Sequence, residues 1–250
     1  MQDNKLKLYA TALIALSVVL AAAVIGNAYK YKFVATETIS TTGLAEKEFT
    51  SDLVTWSAKF KTYSMSRKEA YDQLKSDANK IKQYLVDKGI NEKEIVFSAI
   101  DIEERTKTQR NYGGADGYSE TSVFAGYELS QTFEIESKAL DIVERTSREI
   151  TELIEQGIDI VSFNPSFSYT KLDDLKLELI ANATKNATSR AQNIAKESNS
   201  HLGNLRNASM GVFQITGKSS SEEFSWGGVY NTTDRNKKAS ITVKLEFGIR

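Results

Sequence analysis

The sequence predicts an α+β protein: antiparallel sheets packed by three helices in the order β-β-α-β-β-α-β-α-β-β, preceded by an N-terminal transmembrane or signal helix. Three observations predict it. Apolar and polar residues alternate in several segments, most regularly at Ala239, Ile241, Val243, Leu245, Phe247 and Ile249. Other segments carry apolar residues at helical spacing. An uncharged run opens the chain. Hairpins mixed with helices argue for antiparallel sheet covered by helices on one side.

The opening run extends from Leu8 to Ile25 without a charge. Its 18 residues span about 27 Å as a helix, close to the hydrocarbon thickness of a bilayer. A signal peptide cut after Ala28 is one reading, with Gly26 and Ala28 as the small residues. A retained anchor is the other, and the length favours it. Lys5 and Lys7 on one side face Lys30 and Lys32 on the other, so charge does not set the orientation. The expected organisation is a signal or anchor segment over 1–28, a linker over 29–35 and a body over 36–250.

Strands are expected over 36–46 and 52–63. In the second, Val54, Trp56, Ala58 and Phe60 face one way and Thr55, Ser57, Lys59 and Lys61 the other. Ser66 and Glu69 form a capping box for the first body helix. Its apolar face is Ala70, Leu74, Ala78, Ile81 and Leu85, and Gly89 ends it. A short strand covers 95–102 and a polar, glycine-rich loop 106–121. A long strand follows with Val123, Ala125, Tyr127, Leu129, Phe133 and Ile135. The second helix runs over 138–156 and stops at Gly157. Pro165 interrupts the next alternation, Val161 to Tyr169, which places that strand at an edge or a bulge. The third helix runs over 173–198 with Ala183, Ala187, Ala191 and Ala195 every fourth residue, a stripe that permits close approach. Two strands close the chain around a second polar loop, 217–238. The embedded β-α-β-β-α-β run is ferredoxin-like in order.

Composition excludes several chemistries. The chain has 250 residues, 40% hydrophobic and 26% charged, which is globular. A net charge of −1 gives no electrostatic case for a nucleic-acid partner. No cysteine is present, so disulfides, thiol nucleophiles and cysteine metal sites are ruled out. His201 is the single histidine, so a Ser-His-Asp site would have to use it. It follows the third helix and reads as a surface residue at the helix end. Asp101, Glu103 and Glu104 could approach one cation, yet they read more simply as a solvated strand end, and no calcium-loop pattern is present. The glycines at 113, 114 and 117 lack the lysine ending of a phosphate loop. Asn182, Asn186, Asn207 and Asn231 each begin an Asn-x-Ser/Thr triplet, read as chance. No catalytic residue, cofactor or metal site is assigned. The candidate interface residues are the loop aromatics Tyr112, Tyr118, Phe224, Trp226 and Tyr230.

Three stretches carry a family resemblance. One is Ile39, Ser40, Thr41, Thr42, Gly43, Leu44 and Ala45, followed by Ser51, Asp52, Leu53 and Val54. The second is Gly126 and Tyr127. The third is the alanine-stepped helix followed by Leu202, Gly203, Asn204 and Leu205. On these the chain resembles the SIMPL-domain family of bacterial envelope proteins. It departs at Ser51, where the family often has proline, and at Asn199, where it often has glycine. The resemblance implies a protein exported to the periplasm or held at the inner membrane facing it. It implies self-association into rings or channel-like particles, with roles proposed in stress tolerance. It brings no agreed catalytic residues. The expected function is therefore a noncatalytic, self-assembling envelope protein whose partners are its own copies and, through the N-terminal helix, the bilayer. A periplasmic adaptor for another envelope protein or a ligand is the alternative, and an enzyme the third.

Overall fold

A computed structural model describes residues 2–34, 37–112, 118–223 and 225–249. The described residues form four helices and eleven strands, an α+β protein as the sequence predicts. Helix α1 is Gln2–Val34. Leu8 and Ile25, the expected anchor ends, both fall within it. Its Thr11–Lys30 stretch is apolar on every side and exposed throughout, with the length and composition of a signal anchor or signal peptide.

The chain divides into two compact units. The first comprises Met1–Glu46, Lys176–Phe213 and Ser240–Arg250; the second comprises Lys47–Leu175 and Gln214–Ala239.

In the first unit, β11 (Asn236–Ile249) pairs with β1 (Thr38–Thr50) and antiparallel with β8 (Leu202–Met210). Helix α4 (Leu172–Glu197) lies against β1 along the alanine stripe. Ala183, Ala187 and Ala191 are fully buried. The reason for the stripe is Gly43. A Cβ built there would sit 2.1 Å from the carbonyl oxygen of Ala183 and 2.5 Å from the nitrogen of Ala187. Helix backbone and strand backbone therefore touch. Thr41 Oγ1 donates to the Ala187 carbonyl at 2.9 Å, and Arg190 Nη1 donates to the Thr42 carbonyl at 2.9 Å. Helix–strand contact on small residues thus becomes a hydrogen-bonded seam.

Helix α4 ends on Asn199, which adopts φ 54°. Its N–H donates to the Lys196 carbonyl and that of Ser200 to the Ala195 carbonyl, the paired bonds of a Schellman cap. The asparagine thus takes the left-handed place that glycine fills more cheaply. Asn199→Gly is expected to stabilise the first unit by up to about 1 kcal/mol, read as a rise in the thermal midpoint of helical circular dichroism.

The second unit is built on β2 (Leu53–Ser64) and β5 (Tyr118–Ser137), paired antiparallel from Val54↔Ser137 to Ser64↔Tyr127. On the far side of β2 lie β6 (Asp159–Ser162) and β7 (Ser166–Ser168). On the far side of β5 lie β3 (Ile95–Phe97) and β4 (Asp101–Tyr112). Helices α2 (Arg67–Asp87) and α3 (Leu140–Glu149) contribute to one core with β2 and β5. This is the ferredoxin-like arrangement expected from the element order. The core holds Trp56, Phe60, Leu74, Ile81, Phe133 and Ile150, all fully buried. Pro165 separates β6 from β7, and both pair only with β2, so the proline is at an edge as expected.

Several elements differ from expectation. The capping box is relayed: Ser66 Oγ accepts the Glu69 N–H, but the Glu69 carboxylate accepts from Ser64 Oγ, which itself accepts the Ser66 N–H. The second body helix narrows to a 3₁₀ helix over Ile150–Gln156, where β-branched Ile150 and Thr151 weaken α propensity. The expected strand 95–102 breaks at Ser98, whose side chain and backbone engage Thr132 and Gln131 of β5. The largest difference is the segment expected as a polar loop over 106–121. It is a β-ribbon, with pairs from Thr106↔Phe124 to Tyr112↔Tyr118. Threonines and Val123 suit the extended backbone, and the local polarity that reads as loop reflects exposure instead. A bulge between Arg105 and Thr106 starts it, opposite Gly126, whose φ is 119°. A side chain at Gly126 would come within 2.7 Å of the Tyr63 hydroxyl.

Ser51, the departure from the family's proline, donates its N–H to the Arg235 carbonyl at 2.9 Å. A proline would lose that bond.

Candidate functional site

The second polar loop is the most constructed surface feature of the molecule. It connects β9 (Gln214–Gly217) to β11 and contains a two-residue strand, β10 (Val229–Tyr230), parallel to β9. Short polar residues suggest a flexible segment, yet hydrogen bonds tie nearly every turn of it. The Glu222 carboxylate accepts from Asn231 Nδ2 at 2.7 Å, from the Gly217 N–H at 3.1 Å and from Ser220 Oγ at 3.1 Å. The Asn231 amide also reaches Asp234 Oδ2 at 2.8 Å, while its oxygen accepts the Asp234 N–H at 2.8 Å. The hydrogen bond from Asn231, followed by that from the Gly217 backbone, holds the Glu222 carboxyl below its ordinary range.

Beneath the network lies Lys237, 1% exposed. Its ammonium donates to the Phe167 carbonyl and stands 5.5 Å from the Tyr230 ring centre. Burial pushes this lysine below its ordinary value, opposed by the charges of Asp234 and Glu222. A buried cation needs such partners, because desolvating an unpaired charge costs several kcal/mol.

The loop's apex is gripped separately. The side-chain amide of Gln214 donates to the Ser225 carbonyl at 2.8 Å and accepts the Ser225 N–H at 3.2 Å, so it acts as a strand would. From this clamp springs a tight turn, closed by the Gly228 N–H on the Ser225 carbonyl at 3.0 Å. Gly228 has φ 88°. Trp226 occupies the corner of that turn and is 100% exposed. Tyr230, 48% exposed, is another aromatic of the same loop. An indole held out by an ordered support offers large apolar area with little loop entropy left to lose.

The other expected interface residues fare differently. Tyr112 and Tyr118 form the last described backbone pair of the ribbon, on a different element from Trp226. Phe224 lies outside the described residues, as do the glycines at 113, 114 and 117. Gln214, Glu222, Asn231, Asp234 and Lys237, which order the loop carrying Trp226 and Tyr230, are not among the residues expected from the sequence. The signal for Asn231 was present as an Asn-x-Thr triplet, and its structural use is burial and hydrogen bonding.

His201 is exposed between α4 and β8, in a cleft with Lys196 and Gln192. Among the described residues no acid or nucleophile is hydrogen-bonded to it. Asp101, Glu103 and Glu104 are exposed along β4; Glu104 meets Arg67 at 3.5 Å and Glu103 lies 3.9 Å from Arg105. They are a solvated strand face.

The family model SIMPL, described as a protein of unknown function (DUF541), matches residues 39–247. No curated protein matches.

Proposed function

The chain belongs to the SIMPL family, and from that premise we propose that it is a noncatalytic envelope protein, anchored or exported by α1, that self-assembles through the Trp226 turn. The observation that carries this reading is a fully exposed tryptophan on a hydrogen-bonded support. Burying its side chain against a second copy removes about 150–250 Å² from water, worth roughly 4–6 kcal/mol before the costs of association. A loop that merely solvated the sheet would not need the Gln214 clamp. The N-terminal helix supports placement at a bilayer, where two-dimensional confinement raises the effective concentration of copies.

The test is light scattering of the full chain in detergent. Wild type is expected to give a mass of several protomers. Trp226→Ala is expected to weaken association at least thirtyfold, the loss of a hot spot of about 2 kcal/mol. A wild-type monomer at micromolar concentration would end the self-assembly reading. Capture of a distinct envelope protein, lost in Trp226→Ala, would then favour the adaptor reading.

A further inference from the structure

Strand β4 pairs with β5 alone among the described strands, so its other edge presents unpaired backbone N–H and C=O groups. Such an edge is a template for another strand, and charge is one of the devices that guard it. The side chains from Asp101 to Arg110 are all exposed. The bulge opposite Arg105 and Thr106 puts its extra residue in β5, between Phe124 and Gly126, so β4 keeps an unbroken alternation. One face of β4 therefore carries Asp101, Glu103, Arg105 and Lys107 in that order: two acids, then two bases.

That order is self-complementary. A two-fold axis normal to a sheet sets each residue opposite one of the same face. With the axis at Glu104, Asp101 stands opposite Lys107 and Glu103 opposite Arg105, and symmetry repeats both pairs. Neighbouring registers lose this. An axis at Arg105 opposes two arginines, one at Thr106 sets Arg105 against Lys107, and one at Glu103 opposes two glutamates. Among the described residues Asp101 and Lys107 make no ion pair within the chain. Arg105 meets Glu128 at 2.6 Å and Glu103 at 3.9 Å, so a second Glu103 would join an existing cluster. On the other face Ile102 falls opposite Thr106, both β-branched, and Glu104 falls opposite its own copy. That like-charge pair opposes the contact, and Arg67, 3.5 Å from Glu104, offsets it in each copy.

We propose that β4 pairs edge to edge with β4 of a second copy of the chain, antiparallel, with the axis at Glu104. The contact rests on the reading that copies associate, but uses a different element from the Trp226 turn. A charge order that repels other strands admits this one.

The chain has no cysteine, so one introduced thiol reports the register. Directly opposed residues have Cα atoms about 5 Å apart, within the reach of about 4.4–6.8 Å that a disulfide spans. Glu104→Cys, in the full chain in detergent under mild oxidation, is expected to give a covalent dimer. Thr108→Cys, whose two copies would lie roughly 25 Å apart, is expected to give none. Both carry Trp226→Ala as well, so failure of the Trp226 turn as an interface cannot mimic a failure here. Adding Asp101→Lys is expected to lower the Glu104→Cys dimer yield roughly tenfold by making two repulsive pairs. Adding Lys107→Asp to that variant is expected to restore it. No dimer from Glu104→Cys, an equal yield from Thr108→Cys, an unchanged yield with Asp101→Lys, or no rescue by Lys107→Asp overturns the proposal.

Discussion

Gly43→Val is expected to unfold the first unit at ambient temperature. Even a methyl at this position meets the Ala183 carbonyl oxygen at 2.1 Å and the Ala187 nitrogen at 2.5 Å. Both are helix backbone, which cannot rotate away as a side-chain tip can. The helix must retreat, and with it go the Thr41 bond to the Ala187 carbonyl and the Arg190 bond to the Thr42 carbonyl. Overpacking a rigid contact costs about 1–3 kcal/mol or more. Each lost bond adds about 1 kcal/mol. The alanine stripe, packed at van der Waals distance, then loses dispersion along its whole length. A total of at least about 4 kcal/mol is a large share of the stability of an ordinary domain. The measurement is limited proteolysis of the full chain, with cleavage expected inside α4. The first unit contains no tryptophan, so Trp56 emission reports the second unit independently. Gly43→Ala should show the same defect in weaker form; intact α4 in both variants would contradict the backbone-contact account.

Trp56→Ala is expected to cost the second unit about 3–5 kcal/mol. Trp56 is fully buried, packs edge-on against Phe133 with ring centres 5.4 Å apart, and donates its indole N–H to Ser162 Oγ at 3.1 Å. Ser162 passes the bond on to the Ser147 carbonyl at 2.8 Å, joining β6 to α3. Truncation therefore removes a large apolar volume and one member of a polar chain that crosses the core. Trp56→Phe separates the two terms. It keeps a ring against Phe133 and removes the indole donor with only part of the volume, so a smaller loss of about 1–3 kcal/mol is expected. Urea unfolding followed by far-ultraviolet circular dichroism measures both. Equal losses would show that the hydrogen bond, and not volume, dominates.

Much of this fold was legible because its buried faces are regular. Alternation on β2 from Val54 to Phe60 and on β11 from Ala239 to Phe247 carried the strands. Gly89 and Gly157 marked their helix ends, and Asn199 marked a third of the same kind. What escaped has a common cause. The ribbon strand over Thr106–Arg110 is exposed throughout, so it shows no apolar period. The Trp226 loop is ordered by side chain to backbone bonds among residues up to 11 positions apart, as between Gln214 and Ser225. Such bonds leave no periodicity. Asp77, a carboxylate only 2% exposed on the core side of α2, escaped for the opposite reason: it stands within a periodic helix, where a polar residue at a core spacing reads as the edge of the apolar face.

The way the chain threads the two units bears on when they can fold. Strand β1 begins in the first unit and ends in the second, and β11 begins in the second and ends in the first. Neither unit is one continuous stretch of sequence. The sheet that joins β1 to β8 in the first unit needs β11, the last described strand, whereas the six-stranded sheet of the second unit contains no part of it and has all its strands by Ser168. Loop-closure entropy over nearly two hundred residues separates β1 from its partner. The first unit therefore cannot close behind a chain that is still emerging, while the sheet of the second can pair earlier. The two units complete in sequence, and the one that carries the N-terminal helix completes last.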